Sequence, residues 1–333
     1  MRRILLVLPI VLLAGCAHKP ATTPVRIANV GTGLQTWCMP VTLASALGYY
    51  GDERLNVTLE NLSSGTKTLQ ALVGGSVDVA DFFYEHNVQM AAEGRHVRSF
   101  FVMARQDSRV LIVAPSASAK VHRPEDLKGA LIGVPSPGSA GHLFVKYYLA
   151  AHGMKPSDYR VVGIGNGVSA FAAIESGRID AGEVSGGDHI RFLRRNPGTR
   201  FLMDTSTPEG MRESYRSDTF PTGVLAARQA WLDRNPDAAR RLARALHRTL
   251  QWIATHTPEE IRERLPDSFR SQDAAVDLDI IRWSLPAFTS DGAMPPTGPE
   301  TVKRFLDAAI DKVRESKFDL AATWTNGFLP EAK

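Results

Sequence analysis

Hydrophobic and polar positions follow the same order twice along this chain, at two places 102 residues apart. The copies run from Leu69 to Asp81 and from Phe171 to Glu183. In each copy, apolar residues at helical spacing lead to a glycine, then to two alternating apolar positions, and finally to an acidic residue. The first pattern predicts a helix packed on a sheet, and the second predicts a short buried strand. The repeat therefore predicts an α/β fold with two lobes of one plan.

The small loops before the two copies and the acids that end them keep the same spacing. Ser64-Gly65 precedes the first predicted helix, and Asn166-Gly167 precedes the second. Ligands of open α/β sheets bind outside the carboxyl ends of the strands, so Asp81 and Glu183 fall where a ligand would lie. Two such edges facing each other predict a ligand cleft between the lobes.

An aspartate inside each copy has a different expected role. Asp78 and Asp180 each follow a glycine by three residues, just inside the predicted strand. Aspartate side chains next to such turns often accept hydrogen bonds from nearby backbone N–H groups. We therefore expect these two carboxylates to bond backbone rather than ligand.

Strand and helix patterns continue on both sides of the repeat. Two predicted strands over 97–104 and 110–114 lead to a crossing at Pro115 and Ser116, and a strand over 219–227 returns the chain. Beyond residue 230 the pattern is helical, with an apolar face. That face consists of Leu242, Leu246, Leu250 and Ile253. The predicted division is 25–114 plus 221–333 for lobe 1 and 115–220 for lobe 2.

The amino terminus has the pattern of an export signal. A basic start is followed by an apolar run that is too short to cross a bilayer and by Leu13-Ala-Gly-Cys16, which resembles the bacterial lipobox. This predicts a lipoprotein signal peptide over 1–15, a lipid anchor on Cys16 and a tether over 16–24. The alternative is an ordinary signal peptide with an incidental cysteine.

Composition and charge exclude several kinds of partner. The predicted signal segment removes two of the 39 basic residues and none of the 35 acidic ones, so the remainder is nearly neutral. Without a basic run, the charge gives no reason to expect nucleic-acid binding. Nine scattered histidines and two cysteines do not have the spacing of a metal site, and no cofactor is expected. With Cys16 lipidated, Cys38 has no partner for an intrachain disulfide.

Three segments carry a resemblance to a known family: 122–129 (HRPEDLKG), 132–139 (IGVPSPGS) and 177–181 (GRIDA). In this order they resemble the sulfonate, taurine, nitrate and thiamine-pyrimidine substrate-binding proteins of bacterial ABC importers. The resemblance covers nearly all of 25–320. It implies the type II periplasmic binding protein fold, in which each lobe is a mixed sheet flanked by helices. Two crossover strands form the hinge.

The resemblance also implies a set of ligand-binding residues. The family's anion-contacting turn corresponds to Pro137-Gly138-Ser139, where the free amides of a helix start suit a sulfonate, phosphate or carboxylate. The alternative is that Ser139 only caps its helix. Trp37 and Phe82 either face the solute or pack a lobe edge, and Cys38 either lines the pocket or fills the core. The predicted set is Trp37, Cys38, Ser64, Gly65, Asp81, Phe82, Gly138, Ser139, Asn166 and Glu183.

The two acids bear on the chemistry of the ligand. Asp81 and Glu183 would repel an anion if both were ionised in the pocket, so they point away or the solute also carries an amine. The resulting hypothesis is a monomeric, membrane-anchored, periplasm-facing receptor that binds a small organic anion or zwitterion and delivers it to permease subunits. Sulfonates come first as ligands, and pyrimidines or amino-sulfonates come next. The choice between inner and outer membrane stays open.

Two other functions remain as alternatives. A lipoprotein sensor could use the same fold and present its ligand to a signalling partner. An enzyme is the third possibility, because relatives of this fold include a pyrimidine-forming synthase. The chain lacks the cysteine-rich motif of that synthase, a Gly-x-Ser-x-Gly elbow and a His-Glu-x-x-His zinc motif, so we expect no enzyme activity.

Overall fold

The computed structural model describes residues 22–30, 34 and 37–331. The strands in chain order are β1 (Thr23–Val30), β2 (Leu55–Leu62), β3 (Val79–Phe83), β4 (Val97–Val102), β5 (Val110–Val113), β6 (Leu131–Val134), β7 (Arg160–Gly163), β8 (Ala181–Val184), β9 (Phe201–Asp204) and β10 (Gly223–Arg228). The helices are α1 (Met39–Ala46), α2 (Tyr49–Asp52), α3 (Gly65–Gly74), α4 (Glu85–Ala92), α5 (Ala140–Ala151), α6 (Val168–Glu175), α7 (Asp188–Arg195), α8 (Pro208–Tyr215), α9 (Gln229–Arg234), α10 (Pro236–Thr255), α11 (Pro258–Arg264), α12 (Ala274–Ser284), α13 (Gly298–Ala309) and α14 (Asp311–Glu315).

The strands form two mixed sheets of the same design, and we call each sheet with its helices a lobe. The first sheet has the order β2-β1-β3-β10-β4 and the second has the order β7-β6-β8-β5-β9. In each, four strands run in the same direction, and the fifth, β10 or β5, runs antiparallel to its neighbours. The predicted fold class, two lobes built from mixed sheets and helices, is confirmed.

The chain passes between the sheets earlier than the sequence analysis predicted. The strand at 110–113 pairs with β8 and β9 of the second sheet, although it was assigned to lobe 1. The crossing therefore lies between Val102 and Val110, ahead of Pro115 and Ser116. A short buried strand carries no pattern in its own residues that identifies the sheet in which it pairs. Strand β10 returns the chain to the first sheet, where the sequence predicted a return strand.

The repeated phrase forms a helix, a left-handed glycine and a strand in both lobes. Helix α3 ends at Gly75, which has φ of 83°, a conformation that favours glycine. Asp78 accepts a hydrogen bond from the backbone N–H of Arg26 at 2.8 Å, and Asp180 accepts one from Leu131 at 2.8 Å. Each aspartate therefore forms a hydrogen bond with the backbone of the neighbouring strand, β1 for Asp78 and β6 for Asp180. The expectation that they bond backbone is confirmed.

The carboxyl-terminal helices supply much of the core beside the first sheet. Helix α10 packs against α1 and α2. Its four predicted apolar positions, from Leu242 to Ile253, are all buried, as expected for one face of an amphipathic helix. Helix α10 thus supports the first lobe from outside the cleft, whereas α13 packs against α5 of the second lobe.

The amino-terminal predictions fall almost entirely outside the described residues. The signal segment 1–15, the lipidation site Cys16 and most of the tether belong to that part of the chain, while Thr23 and Pro24 already form the start of β1. In the described part, no helix combines the length and apolar character required to cross a bilayer.

Candidate functional site

A cavity of about 40 Å³ lies between the lobes, at the carboxyl ends of β1, β3, β6 and β8. The first lobe lines it with Val30, Trp37, Ser64, Gly65, Phe82, Phe83 and His86. The second lobe lines it with Pro135, Ser139, Ala140, Gly141, Asn166 and Ser185. Strand ends of both sheets converge here, as the repeat predicted.

Segments at the starts of helices α3, α5 and α6 touch directly across this cavity. The side-chain amide of Asn166 donates to the carbonyl oxygen of Ser63 at 3.1 Å. The hydroxyl of Ser136 donates to that of Thr66 at 3.4 Å. These two hydrogen bonds join loops from different lobes, so the structure represents a closed cleft.

Six of the ten predicted ligand-binding residues line the cavity and four do not. Those that line it are Trp37, Ser64, Gly65, Phe82, Ser139 and Asn166. Of the others, Gly138 is exposed at the turn before α5, while Cys38, Asp81 and Glu183 are buried behind the walls. Contact with a ligand stays a prediction for all ten.

Two helix starts face the cavity from opposite lobes. The hydroxyl of Ser64 accepts from the N–H of Lys67 at 3.4 Å, and that of Ser139 accepts from His142 at 3.3 Å. Both serines therefore cap their helices, as the alternative reading of Ser139 expected. First-turn amides of a helix have no partner within the helix, and Gly65 and Ala140 bring such amides to the cavity wall. The site thus offers the positive ends of two helix dipoles.

His86 is a cavity residue that the sequence analysis missed. Its side chain is 1% exposed, and neither ring nitrogen has a hydrogen-bond partner in the structure. Burial, assisted by the charge of Arg109, lowers the pKa of His86 to about 4, so the imidazole is neutral near pH 7. A neutral ring offers one donor and one acceptor to a ligand.

The register of the repeat contains a signal for His86. A shift of 102 residues places His86 on Asp188 and Gly65 on Gly167. In the second lobe, Asp188 accepts a hydrogen bond from the N–H of Gly167 at 2.9 Å, at the start of α6. In the first lobe, a Cβ on Gly65 would lie 2.9 Å from Nε2 of His86. In the second lobe, the carboxylate of Asp188 thus binds the start of α6, whereas in the first lobe the imidazole of His86 stands in the matching place without a hydrogen-bond partner.

Glu183 lies directly behind the cavity wall formed by Gly141. One carboxylate oxygen occupies the space where a Cβ on Gly141 would stand, at 2.0 Å, so only glycine fits at position 141. Neither oxygen has a hydrogen-bond partner, although the Ser185 hydroxyl is near enough to favour the charged form slightly. Burial raises the pKa of Glu183 to about 8, against the opposing charge of Arg109 and with further increases from Asp107 and Asp188. The group is therefore mostly protonated near pH 7.

Asp81 occupies the same repeat position as Glu183 but a different environment. It shares one face of β3 with Val79 and Phe83 and lies in the core of the first lobe, where its charge acts on Tyr50. Neither carboxylate oxygen has a partner, and burial raises the pKa of Asp81 well above its ordinary value. Burial thus favours the uncharged form of both acids. The repulsion of an anion that the sequence analysis considered is correspondingly weakened.

Next to the cavity lies a fully buried ionic cluster around Arg109. Its Nε donates to both oxygens of Asp107 at 2.8 and 2.9 Å, and its Nη1 donates to Glu85 at 2.7 Å. The hydroxyls of Tyr215 and Thr205 donate to Asp107 at 2.6 and 2.9 Å. The sequence contains no signal for this cluster, because Glu85, Thr205 and Tyr215 lie far from Asp107 and Arg109 in the chain and no motif joins them.

The position of Trp37 depends on a glycine in the neighbouring strand. The ring of Trp37 meets that of Phe83 edge to face, with centroids 4.7 Å apart. A Cβ on Gly223 would lie 2.6 Å from Cβ of Trp37 and 2.8 Å from its carbonyl oxygen. The absence of a side chain at Gly223 therefore lets this aromatic wall approach the sheet.

We expect Gly223→Ala to displace Trp37 and to lower the unfolding free energy by about 1–3 kcal/mol, because the added methyl group can be accommodated only if the backbone of Trp37 moves. Urea unfolding would measure the loss of stability, and a change in the summed fluorescence of the five tryptophans would report the displacement. Gly74→Ala is the matched control, since a Cβ there meets nothing within 4 Å. Equal effects of the two substitutions would contradict the expectation.

Comparison with known proteins places the chain in a family. The family model described as NMT1/THI5 like matches residues 35–261. The chain belongs to the NMT1/THI5-like family. YtlA of Bacillus subtilis (strain 168), described as a candidate binding protein, is 22% identical over 290 residues, which cover 85% of this chain and 81% of YtlA.

Solved structures show the fold of this family member. A structure from Bordetella bronchiseptica RB50 is 32% identical, with a TM-score of 0.85 and coverage of 92% of this chain and 96% of that one. The alkanesulfonate-binding protein SsuA from Xanthomonas axonopodis pv. citri, bound to MOPS, is 16% identical, with a TM-score of 0.70 and coverage of 92% and 99%. The chain thus has the periplasmic binding protein fold, and the predicted family resemblance is confirmed.

Family members also include enzymes. The 4-amino-5-hydroxymethyl-2-methylpyrimidine phosphate synthase of Schizosaccharomyces pombe is 23% identical over 217 residues, which cover 63% of this chain and 60% of the synthase. The solved neighbours are mostly binding proteins. Within the described residues, no group of three or more histidine, cysteine, aspartate or glutamate side chains could hold a metal ion.

Proposed function

We propose that this chain is the solute-binding component of an ABC importer, anchored to the membrane through Cys16 on the periplasmic side and acting as a monomer with permease subunits. The observation that carries the proposal is a cavity between two lobes that Asn166 and Ser136 bridge by hydrogen bonds, with the ring nitrogens of His86 left without a partner in its wall. Such a cavity forms when two lobes close around a solute by hinge motion.

The cavity wall favours a small organic anion or zwitterion. No lysine or arginine lines it among the described residues, so negative charge would be balanced by helix-start amides and by the neutral imidazole of His86. This balance suits a single charge better than a dianion. The ring surfaces of Trp37 and Phe82 add apolar area for the rest of the solute. Sulfonates remain the first choice, and pyrimidines or amino-sulfonates come next.

The cavity volume of about 40 Å³ limits the size of the solute that the closed cleft can hold. Sites for drug-sized ligands usually have several hundred Å³. The closed cleft therefore accommodates only a small group, and a larger solute would bind with the lobes further apart. We infer that Asn166, Ser64 and Ser139 stand at the moving edges of this site.

Calorimetric titration of the full chain with taurine, MOPS, nitrate and 4-amino-5-hydroxymethyl-2-methylpyrimidine tests the proposal. A ligand present at a hundred times its Kd should raise the unfolding free energy by about 2.7 kcal/mol. If none of these probes binds or stabilises the chain, the receptor proposal fails for these ligand classes. Turnover of the pyrimidine or its precursors would favour the enzyme alternative instead.

We expect His86→Leu to weaken the binding of such a probe by about tenfold or more, because it removes a buried polar partner of the solute. His189→Leu is the matched control. His189 is also buried, has a ring nitrogen without a partner and a pKa lowered to about 4 by burial, but packs against Trp283 away from the cavity. Equal losses of affinity in the two variants, measured by calorimetry, would remove His86 from the site.

A further inference from the structure

A single guanidinium lies where the two lobes meet the segments that connect them. Arg109 stands immediately before β5, on the first connection between the sheets, and its side chain is fully buried. Its Nη1 donates to Glu85 at 2.7 Å and to the carbonyl oxygen of Ala140 at 2.9 Å. Glu85 begins α4 of the first lobe, and Ala140 begins α5 of the second. One nitrogen therefore holds the first turns of two helices from different lobes.

The rest of the guanidinium is anchored on the connections themselves. Its Nε binds both oxygens of Asp107, which lies on the same connection, and its Nη2 lies 3.4 Å from the hydroxyl of Tyr215, which precedes the return connection. Four phenylalanine rings surround the guanidinium carbon, with centroids 5.1 to 5.3 Å away. The guanidinium is thus held at the hinge by contacts that do not involve the first turn of α4 or of α5.

The two bonds of Nη1 lead to opposite walls of the cavity. Glu85 is followed by the cavity residue His86, and Ala140 itself lines the cavity. If the lobes separate, Glu85 and Ala140 move apart, and a nitrogen held by Asp107 cannot follow both of them. Opening the cleft therefore breaks at least one of these hydrogen bonds in a buried environment, where the loss is costly.

We propose that Arg109 is a positioning residue that sets the closed geometry of the ligand site, by holding the first turns of α4 and α5 from the hinge. This inference rests on the proposed receptor function, since it is the closed cleft that binds the solute. It assigns Arg109 no contact with the solute. Lysine cannot replace it, because only a planar fork can bind Asp107, Glu85 and Ala140 together.

Hydrogen–deuterium exchange of the full chain without ligand tests the proposal directly. In Arg109→Lys, we expect exchange in peptides that cover 63–66 and 136–141 to be at least about tenfold faster, because the lobes open more often, while exchange in α10 stays unchanged. Any probe that binds the wild type should bind this variant at least about tenfold more weakly, because fewer molecules are in the closed state.

Arg244→Lys is the matched control. Arg244 also binds a carboxylate through Nε and Nη2, that of Glu53, at 2.9 and 2.7 Å, but both residues belong to the first lobe. The proposal is overturned if Arg109→Lys speeds exchange equally in α10 and the cleft, if it changes neither exchange nor affinity, or if Arg244→Lys opens the cleft as much. Should Arg109→Lys not fold, Glu85→Met removes one of the two bonds, and the same outcomes apply to it.

The hydrogen–deuterium exchange experiment does not depend on finding a ligand. If no probe binds the wild type, the receptor proposal fails for those ligands, and the exchange result still decides whether Arg109 holds the lobes together. If a probe binds both forms equally while exchange in the cleft differs, Arg109 affects opening without setting the binding geometry, and the inference is wrong.

Discussion

Asp107→Asn is expected to lower the unfolding free energy by about 3–5 kcal/mol, because it leaves the buried cation of Arg109 without its principal counterion. Asp107 and Arg109 are both fully buried and are joined by two hydrogen bonds. The substitution keeps the size of the side chain, so the loss reflects charge rather than a cavity. Urea unfolding at pH 7 measures the change.

Asp311→Asn is the control for this experiment, because it breaks the same kind of ion pair at the surface. Asp311 pairs with Arg314, and the two side chains are 79% and 51% exposed. Such pairs contribute at most about 1 kcal/mol. If the two variants lose the same stability, the buried cluster does not support the hinge as its geometry indicates.

Glu183→Gln is expected to stabilise the protein by on the order of 3 kcal/mol at pH 8 and far less at pH 5, since each pKa unit corresponds to 1.36 kcal/mol. Burial raises the pKa of Glu183 from its ordinary 4.5 to about 8. Between these values the folded chain binds a proton that the unfolded chain releases, so wild-type stability falls as the pH rises through this window. Glutamine has no such proton and avoids the loss.

The pH series isolates Glu183 because the variant keeps every other titrating group. Burial lowers the pKa values of His86 and His189 to about 4, so both histidines reduce stability as the pH falls below the pKa of histidine in the unfolded chain. This effect is the same in the wild type and in Glu183→Gln. Glu209→Gln, at a side chain that is 72% exposed, serves as the control. A stability difference that does not change from pH 5 to pH 8 would contradict the elevated pKa.

The lobes could be predicted because local patterns determine them. Each copy of the repeat contains its own helix spacing, glycine stop and strand alternation, so helices α3 and α6 and strands β3 and β8 follow from nearby residues. Strand β5 shows the limit of this approach. Its four apolar residues predict a strand, but the sheet that accepts it depends on the path of the whole chain.

Within the site, the residues at helix starts were predictable and the charged groups were not. Ser64 and Ser139 stand in recognisable caps. Asp81 and Glu183 share a repeat position, yet one faces the core of the first lobe and the other lies behind Gly141. The Arg109 cluster joins segments as far apart as Glu85 and Tyr215. Long-range packing brings such groups together, and one sequence contains no periodic signal for it.

The difference between His86 and Asp188 has a consequence for the way a solute lies in the cleft. Two lobes of the same plan would accept a dipolar ligand equally well in either of two directions. In the second lobe a carboxylate already binds the N–H of Gly167, whereas the matching place in the first lobe holds an uncharged ring. This asymmetry removes the degeneracy, so the proposed receptor would hold a zwitterion in a single orientation.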